Sequence, residues 1–200
     1  MPLIRLKEKP LMIGIVTLRS HPAGTIDKIN ALRSVGAYRL ADYFLRHGKI
    51  ESRKRNMVVY SANCGFDVLV QFLCSGFNGS FPFTLGPQWG EIGAGQTAPA
   101  STDIALTASS VRMPISWAAD YIFATAQLQF FFPDGVLANQ TYYEFGTFLN
   151  GSSTIGTGNM FNHALFASPY AKVAGQDTTV EVDFPFGNGT GAGFDQGQFS

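Results

Sequence analysis

Residues 141–186 read TYYEFGTFLNGSSTIGTGNMFNHALFASPYAKVAGQDTTVEVDFPF, and this stretch decides the fold class. It holds three runs of strand character. Thr141–Leu149 is aromatic-rich and ends in the turn cluster Asn150-Gly151-Ser152-Ser153. Met160–Phe166 follows a second turn, Gly156-Thr157-Gly158-Asn159. Thr178–Phe186 alternates strictly, with Val180, Val182, Phe184 and Phe186 on one face and Thr179, Glu181 and Asp183 on the other. Period-two patterning between Gly, Asn and Ser clusters predicts antiparallel strands with one buried face.

Working outward, Tyr121–Phe132 reads as the best single strand. Ile122, Ala124, Ala126, Leu128, Phe130 and Phe132 share one side, and the turn Pro133-Asp134-Gly135 follows. Residues 75–110 are rich in Gly, Pro, Ser and Thr, with apolar islands at Phe81–Leu85 and Trp89–Ile92, as for strands joined by long loops. Leu11–Leu18 and Asn56–Tyr60 read as further strands, and Phe66–Cys74 as a small helix. Between them Ile26, Ile29, Leu32, Val35, Leu40 and Phe44 recur at helical spacing. They predict one helix over 26–47, capped by Thr25, ended at Gly48 and kinked at Gly36. The fold class expected is mainly β: an antiparallel β-sandwich-like domain with one or two short helices and an N-terminal strand-plus-helix arm.

The 200 residues carry no formal net charge, but the distribution is polarised. Residues 1–55 hold twelve of the fourteen Lys and Arg against Glu8, Asp27, Asp42 and Glu51, so this part is near +8 and the remainder near −8. Composition and charge both change near residue 55. This divides the chain into a basic attachment element (1–55), a β-rich domain (56–186) and a Gly-rich tail (187–200). Charged residues are only 14% of the chain and eighteen residues are Phe, a balance that favours an oligomer or assembly component. Arg33, Arg39, Arg46, Arg53, Lys54 and Arg55 are the docking candidates, facing an acidic protein surface. Nucleic acid is the weaker partner, because no aromatic interleaving or known module accompanies the basic residues.

No stretch reaches the ~18–20 apolar residues that span a bilayer, and the short run after Arg5, Lys7 and Lys9 does not make a signal peptide. A protein made and used without secretion, with no membrane partner, is expected. Cys64 and Cys74 read as reduced thiols on one helix.

The chemistry-bearing motifs are few. Gly93-Ala94-Gly95-Gln96 lacks the Gly-Lys-Ser/Thr ending of a phosphate loop and the third glycine of a dinucleotide fingerprint, so it reads as a turn. His21, His47 and His163 are not at metal spacing, and no G-x-S-x-G elbow occurs. No catalytic, cofactor-binding or metal-ligating residue is expected. Glu144 is the single enzymatic candidate, as a glycosidase acid paired with Asp120 or Asp134. A structural carboxylate that accepts backbone hydrogen bonds at a loop is the better reading of it. Trp89, Trp117, Tyr142 and Tyr143 are the aromatics for an interface or a sugar.

The order of short motifs resembles a known group. Arg55-Asn56-Met57-Val58-Val59 precedes a small helix. Then come Ile92-Gly93-Ala94-Gly95, Thr102-Asp103-Ile104-Ala105-Leu106 and Arg112. Tyr143-Glu144-Phe145-Gly146-Thr147-Phe148, Gly158-Asn159-Met160-Phe161, Phe166, Lys172 and the alternating strand Val180–Phe186 follow. This resembles virion structural proteins of tailed bacteriophages, of the tail-fibre, baseplate or virion-attachment type, over residues 53–186. Thr147 stands where that group usually has Leu, and Val111 where an acidic residue often precedes the Arg. The resemblance implies a non-enzymatic building block of the virion, partnered by other virion proteins and by copies of itself. The alternatives are a head decoration or head-fibre protein, and a receptor-binding β-sandwich that takes a host surface glycan.

Overall fold

The computed structural model describes residues 14–58, 87–121 and 125–185. The helix expected over Phe66–Cys74, both cysteines, the island Phe81–Leu85 and the tail from Gly187 lie outside the described residues. Nine strands and two helices follow in the order β1 (Gly14–Pro22), α1 (Thr25–Ser34), α2 (Tyr38–Arg46), β2 (Lys49–Val58), β3 (Pro87–Gly93), β4 (Ser109–Pro114), β5 (Trp117–Tyr121), β6 (Thr125–Phe132), β7 (Thr141–Leu149), β8 (Asn159–Ala171) and β9 (Gln176–Pro185). Every strand pair is antiparallel, and the spatial order is β4-β3-β7-β8-β2-β1-β9-β6-β5. The fold is mainly β, two antiparallel sheets packed as a β-sandwich.

Two crossings join the layers. β2 pairs with β1 along Lys49–Asn56 and then with β8 at Met57 and Val58, so one strand serves both sheets. At the opposite side Ile115 and Ser116 connect β4 to β5. Ile115 N–H donates to the Gln88 carbonyl and Ser116 N–H to the Gln129 carbonyl, both at 2.8 Å. The corner is therefore bonded to both layers. The boundary expected near residue 55 falls inside β2, and β1 lies in the interior of the strand order between β2 and β9.

Alternation places the core. Val16 and Leu18 of β1, Leu128, Phe130 and Phe132 of β6, and Val180, Val182 and Phe184 of β9 face inward from one sheet. Ile92, Tyr142, Phe145, Phe161, Ala164, Phe166 and Tyr170 meet them from the other. Phe130 packs on Phe145 at 5.5 Å between ring centroids, and Phe161 meets Phe184 edge-on at 5.2 Å. Each such fully buried Phe contributes about 1.5–3 kcal/mol relative to an exposed one.

Two sequence expectations change. Tyr121–Phe132 is not one strand: β5 ends at Tyr121 and β6 begins at Thr125, antiparallel to it, with Tyr121 opposite Thr125. An apolar alternation cannot by itself distinguish a long strand from a tight hairpin whose two arms keep phase. The helix expected over 26–47 is two helices, because Gly36 takes φ +76°, a left-handed value that ends α1 rather than kinking it. Gly24, also left-handed, stands at the N-cap position, and Thr25 is the first helical residue.

The second face of the β1-β9-β6 sheet is buried beneath the helices. Ile26, Ile29, Ala41 and Leu45 close on Phe131, the apolar residue of that face. Around it lies a polar layer. Arg33 donates to Gln129 (2.6 Å), Gln129 to Glu181 (3.3 Å) and Gln127 (3.0 Å), Gln127 to Asp183 (2.9 Å), and Arg19 pairs with Glu181 (3.3 Å). Asp177 of β9 fixes α1 by accepting the Ile26 N–H, and accepts the Asp134 N–H with its other oxygen, both at 2.8 Å. A carboxylate at these orphan N-terminal donors is also favoured by the helix dipole.

Candidate functional site

The outer face of the other sheet carries the densest cluster of ionisable groups. β7 shifts register between Tyr142 and Glu144. Tyr142 lies in the core, while Glu144 lies beneath residues 94–108, the segment that joins β3 to β4. Glu144 is fully buried. Its Oε1 accepts the N–H groups of Gly95 (3.0 Å) and Ala108 (2.8 Å). Its Oε2 accepts the Thr107 N–H (3.2 Å) and lies 3.1 Å from Nε2 of His163. Nδ1 of His163 lies 2.6 Å from Oδ2 of Asp103, and that oxygen also accepts the Ala100 N–H at 2.8 Å.

The glycines of this region follow from the carboxylate. A Cβ at Gly95 would fall on Oε1 of Glu144, and one at Gly93 would stand 2.6 Å from the same atom and 2.6 Å from the Ala108 carbonyl. Gly146, two residues beyond Glu144, would set a Cβ 2.9 Å from the Asn162 carbonyl of β8. Gly93-Ala94-Gly95 is thus a cradle for a carboxylate belonging to the chain itself.

Burial alone would raise the Glu144 carboxyl, but the hydrogen bonds from His163, Ala108 and Thr107 outweigh it and hold its pKa below the ordinary value. Burial likewise opposes the charge on His163, and its hydrogen bonds to Glu144 and Asp103 prevail, raising its pKa. The two directions agree. Both favour the charged pair, an imidazolium against the Glu144 carboxylate.

A second ion pair lies on the same face. Glu91 of β3 and Arg112 of β4, opposite each other in register, are joined through Nη1 and Oε1, both side chains fully buried. Glu91 also accepts from the Ser109 hydroxyl and from the Gly156 N–H at 2.9 Å. The Arg112 guanidinium lies 5.2 Å from the Trp89 ring and 4.9 Å from Phe148. Those faces offset part of the cost of its Nε and Nη2, which have no hydrogen-bond partner. Leu106, Phe148 and Met160 complete an apolar patch under the segment.

The arrangement binds chain to chain. Both oxygens of Glu144 accept hydrogen bonds from the chain itself, so the group has no proton directed at a glycosidic oxygen and no lone pair left for a water. Asp134 is engaged elsewhere, 2.8 Å from Nζ of Lys172 and accepting the Gly175 N–H at 3.1 Å. Of Asp120 only the backbone is described, in β5. Among the described residues no group of three or more His, Cys, Asp or Glu is arranged to hold a metal ion, and no helix is long and apolar enough to cross a membrane.

The docking candidates divide. Arg39, Arg53, Lys54 and Arg55 are exposed, and Arg46 is half-buried. Arg33 departs from the outward position expected of it: it is buried under the helices, bonded to Gln129 and lying 4.5 Å from the Trp117 ring. Helical spacing accounts for this: Arg33 stands at i+7 from Ile26 and i+4 from Ile29, on the face of α1 that is buried. Among the aromatics Trp89, Trp117 and Tyr143 are half-buried, whereas Tyr142 is a core residue whose hydroxyl donates to the Ala138 carbonyl. Tyr142 therefore cannot present a face to a ligand.

Part of the acidic half of the charge asymmetry is internal. Glu91, Glu144, Asp177 and Glu181 are buried, while Arg53, Lys54 and Arg55 stand out on β2. Sequence reasoning did not find Asp177, the Lys172–Asp134 pair or the Gln127–Gln129–Glu181 layer. A polar residue on an alternating strand looks the same whether water or a helix covers it.

Comparison with protein-family models, with curated proteins and with solved structures finds no match for this chain.

Proposed function

We propose that the chain is a structural component of a tailed-bacteriophage virion, of the tail, baseplate or fibre-attachment type, acting through protein–protein assembly without catalysis. The observation that carries the reading is convergence. Gly93, Gly95, Asp103, Leu106, Arg112, Glu144, Gly146, Phe148 and Met160, scattered over almost seventy residues, are among the positions on which the resemblance rests. All of them belong to the Glu144 cluster, the Glu91–Arg112 pair or the apolar patch beside them. Of the other positions, Phe161, Phe166, Val180, Val182 and Phe184 lie in the core, and Lys172 pairs with Asp134. Short motifs whose members meet in space support this reading.

The surface supports an assembly role. Val35, Tyr38, Leu40, Tyr43 and Ile50 are large apolar residues left exposed on the helices and at the start of β2. The exposed basic residues Arg39, Arg53, Lys54 and Arg55 fit an acidic neighbour. Because Glu91, Glu144, Asp177 and Glu181 are buried and cannot form that acidic surface, a different virion protein is the fitting neighbour, and copies of the chain meet through apolar surface. A glycan site is the weaker alternative, since Tyr142 is withdrawn into the core and Trp117 is engaged by Arg33 and, at 5.6 Å, by Tyr38.

Light scattering of the purified protein at low and high salt, together with incorporation of an R39E/R53E/K54E/R55E variant into particles, tests this reading. A species larger than a monomer, with the variant folded but excluded from particles, is the expected result. A monomer at both salts with normal incorporation of the variant would overturn it.

A further inference from the structure

We propose that His163 is a pH-sensing latch for residues 100–105: as an imidazolium it bridges Asp103 and Glu144, and as a neutral ring it keeps Glu144 and releases Asp103. Each ring nitrogen lies within hydrogen-bond distance of a carboxylate oxygen, 2.6 Å on one side and 3.1 Å on the other. A neutral imidazole has one N–H, so it can serve only one of them and turns a lone pair on the other.

The two carboxylates are not equivalent, and this decides which one is released. Glu144 is fully buried, cannot reach water and accepts three further N–H groups. Asp103 has a side chain 24% exposed, and its remaining donor is the Ala100 N–H of its own turn. Asp103 can turn to solvent at small cost and Glu144 cannot. The remaining proton therefore stays on Nε2, and residues 100–105 lose their tie to β8. Leu106, buried at the edge of the apolar patch, and the Thr107 and Ala108 amides bound to Glu144 mark where the release stops.

The charged groups that face the ring are Glu144 from β7 and Asp103 from the covering segment. The register neighbours of His163 on β7 and β2 are Gly146 and Met57, both uncharged. With its folded pKa raised, the contribution of His163 is fully present below the ordinary histidine value and is lost as pH rises through the raised one. The latch is closed below the ordinary histidine value and opens as pH rises through the raised one.

The test is NMR on the full chain, following the His163 ring nitrogens and the backbone order parameters of residues 94–108 from about pH 5 to about pH 9. Both ring nitrogens protonated at the low end, then loss of the Nδ1 proton, is the expected sequence. With that loss the order parameters at 100–105 fall from about 0.85 to below about 0.6, while Thr107 and Ala108 stay rigid. In Asp103→Asn the segment shows no pH response, and protected Thr107 and Ala108 amides confirm that this variant is folded. A singly protonated ring at the low end, no titration by the top of the range, titration without loosening of 100–105, or a pH response that survives in Asp103→Asn would each overturn the proposal.

Discussion

Both outer faces of the sandwich are covered, and both are polar beneath the cover, yet the two covers are held by different chemistry. Residues 94–108 are irregular and pair few of their backbone N–H groups among themselves, and a single buried carboxylate, Glu144, takes three of the others. Helices α1 and α2 spend their backbone donors internally and offer the sheet one N-terminal amide, taken by Asp177, and side chains. Their hold is accordingly apolar, through Phe131, with a side-chain network around it. A loop can be pinned by one charge, whereas a helix pair needs a surface. The difference makes the loop side brittle to single changes and the helix side tolerant of them.

The largest test of that contrast is Glu144→Ala. It strands three backbone donors and the His163 imidazolium, and we expect a loss of about 3–5 kcal/mol in urea unfolding. A loss below about 1 kcal/mol would mean that water serves those donors and that the two faces do not differ. Next is Gly95→Ala, whose new methyl must displace Glu144, with an expected cost of about 1–3 kcal/mol by the same measurement.

The two buried histidines, one on each face, sharpen the contrast through pH. His21, bonded to Thr179 at 3.0 Å, is pushed down to about 4 by burial and by Arg19, with Asp177 opposing. Its folded state binds fewer protons, so its contribution is lost as pH falls from about 6.5 toward 4. His163 acts oppositely, losing its contribution as pH rises. The urea midpoint therefore declines on both sides of neutrality. His21→Gln should flatten the acid limb and His163→Gln the alkaline one, each leaving the other limb in place.

The smallest effect is expected at Arg33→Met, which replaces a buried charge on the helix side by an apolar chain of similar reach. Stability should fall by about 1 kcal/mol, because the Gln129 side-chain carbonyl loses its donor while the ion partner, Asp42, is exposed enough to turn to water.

The strands of the second half were legible because their inward residues alternate, as Val180, Val182 and Phe184 do, and a sandwich core requires that alternation. The outward residues misled for the same reason. Thr179 and Glu181 alternate as a solvated face would, but helices lie on them and leave both buried. Glu144 could be singled out as a carboxylate in an apolar strand, and Gly93-Ala94-Gly95 as a turn. That the turn wraps the carboxylate depends on a contact across 49 residues that periodicity does not encode. Arg33 was misplaced for another reason: its spacing from Ile26 and Ile29 puts it on the buried face of α1, and its charge alone suggested the outside.

The most direct test of the Glu144 pin is amide hydrogen exchange at Gly95, Thr107 and Ala108, in the wild type and in Glu144→Gln, at one neutral pH. The pin predicts protection in the wild type comparable to the amides of β7, falling at these three positions in the variant while the β7 amides stay protected. Exchange of the three amides at free-loop rates in the wild type would contradict it.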